Sequence, residues 1–343
     1  MSAMTLDAPS TTPSVRTTTA AGRFATLLRR EYWEHRGGFL WAPIWAAGGF
    51  FGILLLIILA AEWHTSGTFN GEVHFGFPIQ KLLAALRSQH AIELPQILDA
   101  GLMGLWAFLQ VVMFFVLFFY CLGALYDDRK DRSVLFWKSL PVSNVETVLS
   151  KLATAVVVVP VIYFLFAALL QLAVLVLFSA LVWFHGDSAM ALIWGPAEPL
   201  ATWAKMIAAI PLSALWALPT VGWLMFISAW ARSKPFLWAV AVPVVVGILV
   251  GTFDIFEAVQ LPDSWYWTHV GSRGLLSIYP GSWMFSDNLR AVVTMNQDGP
   301  PHVLDWNAMS ALAGSANFWI GAIVGSGLLA GAVYFRRKRE QAD

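Results

Sequence analysis

A chain of 343 residues that is 58% hydrophobic and only 12% charged is too poor in charge for a soluble domain, which carries about 25%. Its formal net charge is zero, so the charge balance carries no signal for nucleic acid. The single cysteine, Cys121, excludes an intramolecular disulfide and a cysteine-based zinc site. Eighteen Trp and twenty-four Phe suit a bilayer-embedded protein with aromatic side chains at the interfaces.

Residues 1–22 are rich in Ser, Thr, Pro and Ala and read as a disordered tail. A charged stretch follows them where a cleavable signal peptide would place an apolar core. In residues 23–36, Phe24, Leu27, Leu28 and Tyr32 recur at i, i+3, i+4 and i+8, with Arg and Glu between them. A basic amphipathic helix leading straight into an apolar run is expected to lie on the membrane surface. Gly37-Gly38 would let the chain turn into the bilayer.

Six spans are expected, at about 37–61, 101–125, 152–184, 206–231, 235–253 and 315–335. The first has 25 residues, which reach ~37 Å at ~1.5 Å per residue and cross a ~30 Å core with some tilt. A second amphipathic helix is expected at 79–94, stopped by Pro95. The uncharged run 152–184 exceeds one crossing and falls short of two, so it predicts one long helix bent near Pro160. Pro211 and Pro219 should interrupt span four. Only Arg232, Ser233 and Lys234 join it to span five, which forces an antiparallel helical hairpin. Trp265, Tyr266, Trp267 and Trp283, in the polar segment 254–314, suit an interface.

Six spans put both ends of domain 37–335 on one side. Sixteen Lys and Arg fall on the side of the termini and the 126–151 loop, against five opposite. The positive-inside rule therefore puts that loop, the 1–22 tail and a basic tail at 336–343 in the cytoplasm.

No G-x-x-x-x-G-K-[ST], H-E-x-x-H or G-x-S-x-G occurs, and no histidine has a second His or Cys at i+3 or i+4. No catalytic residue, resident metal or cofactor is expected. Asp127, Asp128 and Asp131 fit D-D-x-x-D, a pattern that holds Mg²⁺ against a diphosphate in membrane prenyltransferases. Those enzymes need a second aspartate cluster facing the first, and the other inner loop, Arg232-Ser233-Lys234, has no carboxylate. Gln110 and Gln171, isolated within spans, suit hydrogen bonds between helices. Asp254 and Glu257 lie just past Phe253, within reach of water. Gly321, Gly325, Gly327 and Gly331 give two G-x-x-x-G patterns, compatible with packing inside the chain or between two copies.

The stretch 126–141 stands apart from an ordinary connecting loop. Six charges fill its first seven residues, and the apolar knot Leu135-Phe136-Trp137 follows, ended by Pro141. Ser143 and Glu146 have capping-box spacing, which marks a helix start. Together with Arg30-Glu31-Tyr32-Trp33-Glu34 before span one and Lys138-Ser139-Leu140-Pro141-Val142-Ser143 before span three, the layout over 23–339 resembles the ABC-2 type transporter permeases.

That resemblance implies an all-α integral membrane protein with a cytoplasmic coupling helix at 126–150, docked on a separate P-loop ATPase subunit. It implies a second permease subunit, surrounding lipid, residence in the inner membrane, and export. ATP and Mg²⁺ would be bound by the ATPase. The coupling residues would be Asp127, Asp128, Arg129, Asp131, Arg132, Phe136 and Trp137, with Tyr32, Trp33 and Glu34 bracing them from the N-terminal helix. Phe136 and Trp137 are aromatic anchors of the kind that dominate binding energy at interfaces. A membrane-embedded Mg²⁺ enzyme and a non-transporting sensor or assembly subunit are the alternative classes.

Overall fold

The computed structural model describes residues 19–66, 93–130, 143–252, 265–285 and 304–340, and every structural statement below concerns these. Asp131, Arg132, Phe136 and Trp137 lie outside the described residues, as do Asp254, Glu257 and most of the expected 79–94 helix.

The described chain is helical, with no strand. In chain order, α1 is Ala20–Glu34, α2 Ala42–Ser66, α3 Glu93–Gly123, α4 Tyr126–Lys130, α5 Asn144–Ala153 and α6 Val159–Phe184. Then come α7 Pro199–Trp230, α8 Pro235–Thr252, α9 Ser272–Leu275, α10 Trp306–Gly314 and α11 Ala316–Glu340. Six helical stretches are long and apolar enough to cross a membrane, which makes this a multi-pass membrane protein.

Their arrangement follows from which helices can bury a face. The α3 and α7 spans are the most enclosed and form the centre, whereas α2 and α8 are largely exposed and form the perimeter. A helix apolar on all sides has no need of a buried stripe when lipid can cover it. The centre is held by close backbone contact between α7 and α11, the most extensive helix pairing among the described residues. Gly222 and Gly325 face each other there: a methyl group on Gly222 would meet the Gly325 carbonyl, and one on Gly325 the Leu218 carbonyl. Gly331 packs on Phe226 of α7. Gly321, against Arg273 and Pro219, also packs inside the chain, so three of the four glycines of the G-x-x-x-G patterns do, while no neighbour lies against Gly327. Cys121, on α3, is fully buried in this core.

Several boundaries differ from expectation. The second span begins at Glu93, eight residues early, with Pro95 in its first turn, where a missing N–H costs nothing. Neither Pro211 nor Pro219 interrupts α7, which is continuous through both. The third span starts at Asn144, where Ser143 and Glu146 form the full capping box: the Ser143 hydroxyl accepts from Glu146 N at 3.1 Å, and Ser143 N donates to Glu146 Oε2 at 2.9 Å. It runs to Phe184 through a π-helical turn at Thr154–Val158, just ahead of Pro160, which cannot donate in the ladder. The turn between α7 and α8 is as short as expected and takes Lys234 into the left-handed region at φ 49. Trp223 Nε1 donates to Ala239 O at 3.0 Å, and the Trp230 and Trp238 rings meet edge to face, closing the hairpin.

Trp283 and Tyr266 are enclosed by the protein. With Ile278 they belong to a stretch between α8 and α11 that folds back against α7. Finally, α11 continues to Glu340, so residues 336–340 of the basic tail form the last turn of a helix.

Candidate functional site

Helix starts and lengths bring five elements to one end of the bundle. The capping box starts α5 eight residues before the apolar run, which places Lys151 inside the helix, 1% exposed. The extension of α11 places Arg336 there too, and α1 turns Glu31 inward with Leu27. Asp128, on the short α4, completes the set at 7% exposed.

Lys151 Nζ is 3.0 Å from Glu31 Oε1 and 3.5 Å from Asp128 Oδ1. On its other oxygen, Asp128 meets Arg336 Nη1 at 3.3 Å, and Arg30 approaches Oδ1 at 3.7 Å. The Tyr120 hydroxyl donates to Glu31 Oε2 at 3.0 Å, and Arg336 Nε donates to Asn144 Oδ1 at 3.3 Å. Two buried acids, Glu31 and Asp128, thus face two buried bases, Lys151 and Arg336, with the partly exposed Arg30 as a third base at the edge. A buried pair of this kind adds little net stability over apolar packing, but removal of one partner strands a charge at a cost of about 3–5 kcal/mol. What the network does is couple: α1, α3, α4, α5 and α11 cannot shift independently without breaking it.

Beside it, Arg129 ties α4 to the end of α7. Its Nη2 donates to the carbonyls of Ser228 and Ala231, and Nε to Leu125 O. Ser228 O and Ala231 O lie at the C-terminal end of α7, where a cation also meets the negative end of the helix dipole. The Ser228 hydroxyl accepts from Leu125 N and Tyr126 N at 3.0 and 2.9 Å, which joins the end of α3 to the same point.

No family model, no curated protein and no solved structure matches this chain. The residues themselves therefore carry the reading.

Of the residues expected to couple, the structure brings Asp128 and Arg129 into this assembly and leaves Asp127 exposed at its edge. The α1 residues expected to brace an ATPase interface, Tyr32, Trp33 and Glu34, are not the ones that hold α1 to the rest of this end of the bundle. Trp33 is exposed and Glu34 pairs with Arg30 of its own helix at 3.2 Å, while Tyr32 packs on the core edge. The contacts to the 126–151 region come from Arg23, which meets Glu146 at 3.4 Å, from Arg30 and from Glu31. Glu31, Lys151, Arg336 and Tyr120 were missed because each partner is remote in sequence. Only Lys151 left a local signal, eight residues into a helix whose capping box was visible.

A second polar feature lies in the other half of the bundle. Arg273, on α9, is 8% exposed, with its guanidinium over the Trp216 ring at 3.4 Å. Its Nη1 and Nη2 donate to Trp216 O and Asn317 O at 3.3 and 3.4 Å. The Thr220 hydroxyl holds Arg273 O at 2.9 Å and shares a 2.8 Å hydrogen bond with Ser277. Elsewhere in the bundle, Gln171 joins α6 to α3 and α7, donating to Leu102 O at 2.8 Å and accepting from Trp203 Nε1 at 2.7 Å. Gln110 Oε1 has no hydrogen-bond partner among the described residues and borders a cavity of about 40 Å³, room for a water molecule. Among the described residues no group of three His, Cys, Asp or Glu side chains is placed to hold a metal ion.

Proposed function

We propose that this chain is the membrane-spanning permease subunit of an ATP-driven exporter of the ABC-2 type. It would form the substrate path with a second permease subunit in the inner membrane, both termini and the 126–151 region facing the cytoplasm, and carry no catalysis itself. α1 would lie at the membrane surface beside that region. The ATPase, a separate P-loop subunit, would take hold of 126–150.

The observation that carries this reading is the placement of Asp128. It stands at the edge of the 131–142 stretch and is tied by Lys151, Arg336 and Arg30 to α5, α11 and α1. A push on 126–143 is delivered through these ion pairs to three helices at once, and through Arg129 to the end of α7. This is how a lever driven from outside the membrane would move a bundle. The same geometry disfavours the Mg²⁺ enzyme reading, because both Asp128 oxygens already face cations.

The experiment replaces Phe136 and Trp137 with Ala in the full chain. Co-purification with a co-expressed P-loop ATPase partner, and stimulation of ATP hydrolysis, should both fall at least tenfold. Unchanged association would sink the assignment. Reconstituted, ATP-dependent transport separates a permease from a sensor subunit that binds the ATPase without moving a substrate.

A further inference from the structure

Between α7, α8, α11 and the segment Trp265–Gly274 lies a cleft of about 520 Å³. That volume is in the range of small-molecule sites. Its walls are mostly apolar and include Trp223, Val242, Val246, Val270, Ile320 and Val324. Ile320, Val246 and Val270 are exposed on the outer surface of the bundle, so the cleft opens sideways, toward the region lipid covers.

One charge faces this apolar space. Arg273 lines the cleft beside His269, Gly274 and Asn317. It sits against Gly321, the sixth residue of α11, and so ~7–8 Å along that helix from its first residue. A guanidinium at that depth is expensive and is retained where something compensates its charge. The compensation inside the chain is partial: two carbonyls at 3.3 and 3.4 Å and one aromatic face, with no carboxylate within ion-pair distance among the described residues. Gly321 is required for the placement, since a methyl group there would collide with Nη2.

We propose that this cleft binds an anionic amphiphile, its phosphate or carboxylate on Arg273 and its apolar chain along α8 and α11 toward the lateral opening. A guanidinium presents a planar fork of donors suited to both oxyanions. The carbonyl contacts and the Trp216 ring hold the fork in place before the ligand arrives, while Gly321 leaves room for it. The site belongs to this chain alone and stands whether or not the chain works as a permease.

The test uses the purified full chain in uncharged detergent, without any ATPase, so its outcome is independent of the coupling experiment. Oleoyl lysophosphatidate is compared with lysophosphatidylcholine of the same chain length, and with inorganic phosphate, by native mass spectrometry. The anionic lipid should bind at least about tenfold tighter than the zwitterionic one, the scale of a charge-assisted hydrogen bond. Arg273→Gln should bring that ratio close to one. Ile320→Trp, which fills the cleft from its exposed wall and leaves Arg273 in place, should weaken both lipids severalfold and keeps the test valid if the arginine variant fails to fold.

Equal affinity for the two lipids, or a preference that survives Arg273→Gln, overturns the proposal. Displacement of the lipid by low-millimolar phosphate would identify a free anion as the ligand and overturn the amphiphile. A disulfide between two Ile320→Cys chains would show that a second copy fills the cleft, which also overturns it.

Discussion

Two arginines, one near each end of α11, are equally withdrawn from water, at 7% exposed for Arg336 and 8% for Arg273. Arg336 is matched by the Asp128 carboxylate and the Asn144 amide oxygen. Arg273 rests on two carbonyl oxygens and an indole, with no acid nearby among the described residues. Burial alone therefore does not reveal the role of a charge. A matched charge locks helices together and has nothing left for a ligand, whereas a charge met only by dipoles keeps capacity for an anion from elsewhere.

The sharpest break in that contrast is Asp128→Ala. It strands Arg336 without a carboxylate, leaves Lys151 with Glu31 alone and should cost about 3–5 kcal/mol, seen as a large fall in the midpoint of thermal unfolding in detergent. Replacing Asp128 and Arg336 together with Leu and Met should recover part of the loss, because both buried charges leave at once. A double variant as unstable as Asp128→Ala would show that the two residues are not coupled.

Next in size is Gly325→Ala, which drives a methyl group into the Leu218 carbonyl between α7 and α11. Overpacking of this kind costs about 1–3 kcal/mol, and the same thermal assay checks it. Gly327→Ala, on the open side of α11, should leave stability within about 0.5 kcal/mol of the parent.

Arg273→Gln should destabilise by only about 1–2 kcal/mol, since it removes two long hydrogen bonds and a ring contact and strands no partner charge. If it proved as damaging as Asp128→Ala, the contrast between the two arginines would collapse.

The smallest effect is a pH dependence at His35. Burial holds this imidazole below its ordinary 6.5, with Lys151 acting in the same direction against Glu31, Glu34 and Asp127. The folded chain therefore binds protons less readily than the unfolded one. Its contribution to stability is complete above pH 6.5 and declines as pH falls through 6.5 toward the lower folded value. His35→Phe, which keeps a ring against Phe39 and Tyr120, should flatten that decline in unfolding midpoints measured between pH 5 and 8.

Much of the fold was legible because it is written locally. Uncharged runs of the right length identify spans, and Ser143 with Glu146 marks the start of α5. The short Arg232-Ser233-Lys234 connection dictates a hairpin. The charge network was not legible, because its contacts join residues 120 positions apart for Glu31 and Lys151, and 208 apart for Asp128 and Arg336. By position alone, Lys151 and Arg336 looked like solvated positive-inside charges. Arg273 was counted among the few cations of the opposite side, since nothing in Gly271-Ser272-Arg273-Gly274 signals that the segment folds back against α7. Propensity reads helices well and prolines poorly: Pro211 and Pro219 are tolerated in α7, where packed neighbours hold the helix together.

One buried side chain carries a practical consequence. Cys121 is the chain's single thiol and is sealed within α3 against its neighbours. Maleimide probes should leave the native chain unmarked, so a cysteine introduced at Trp33 or Lys130 becomes a unique attachment point. Two such points would turn the charged end of the bundle into a ruler, reporting by spin-label distances whether α1 and α4 part when the proposed ATPase is added.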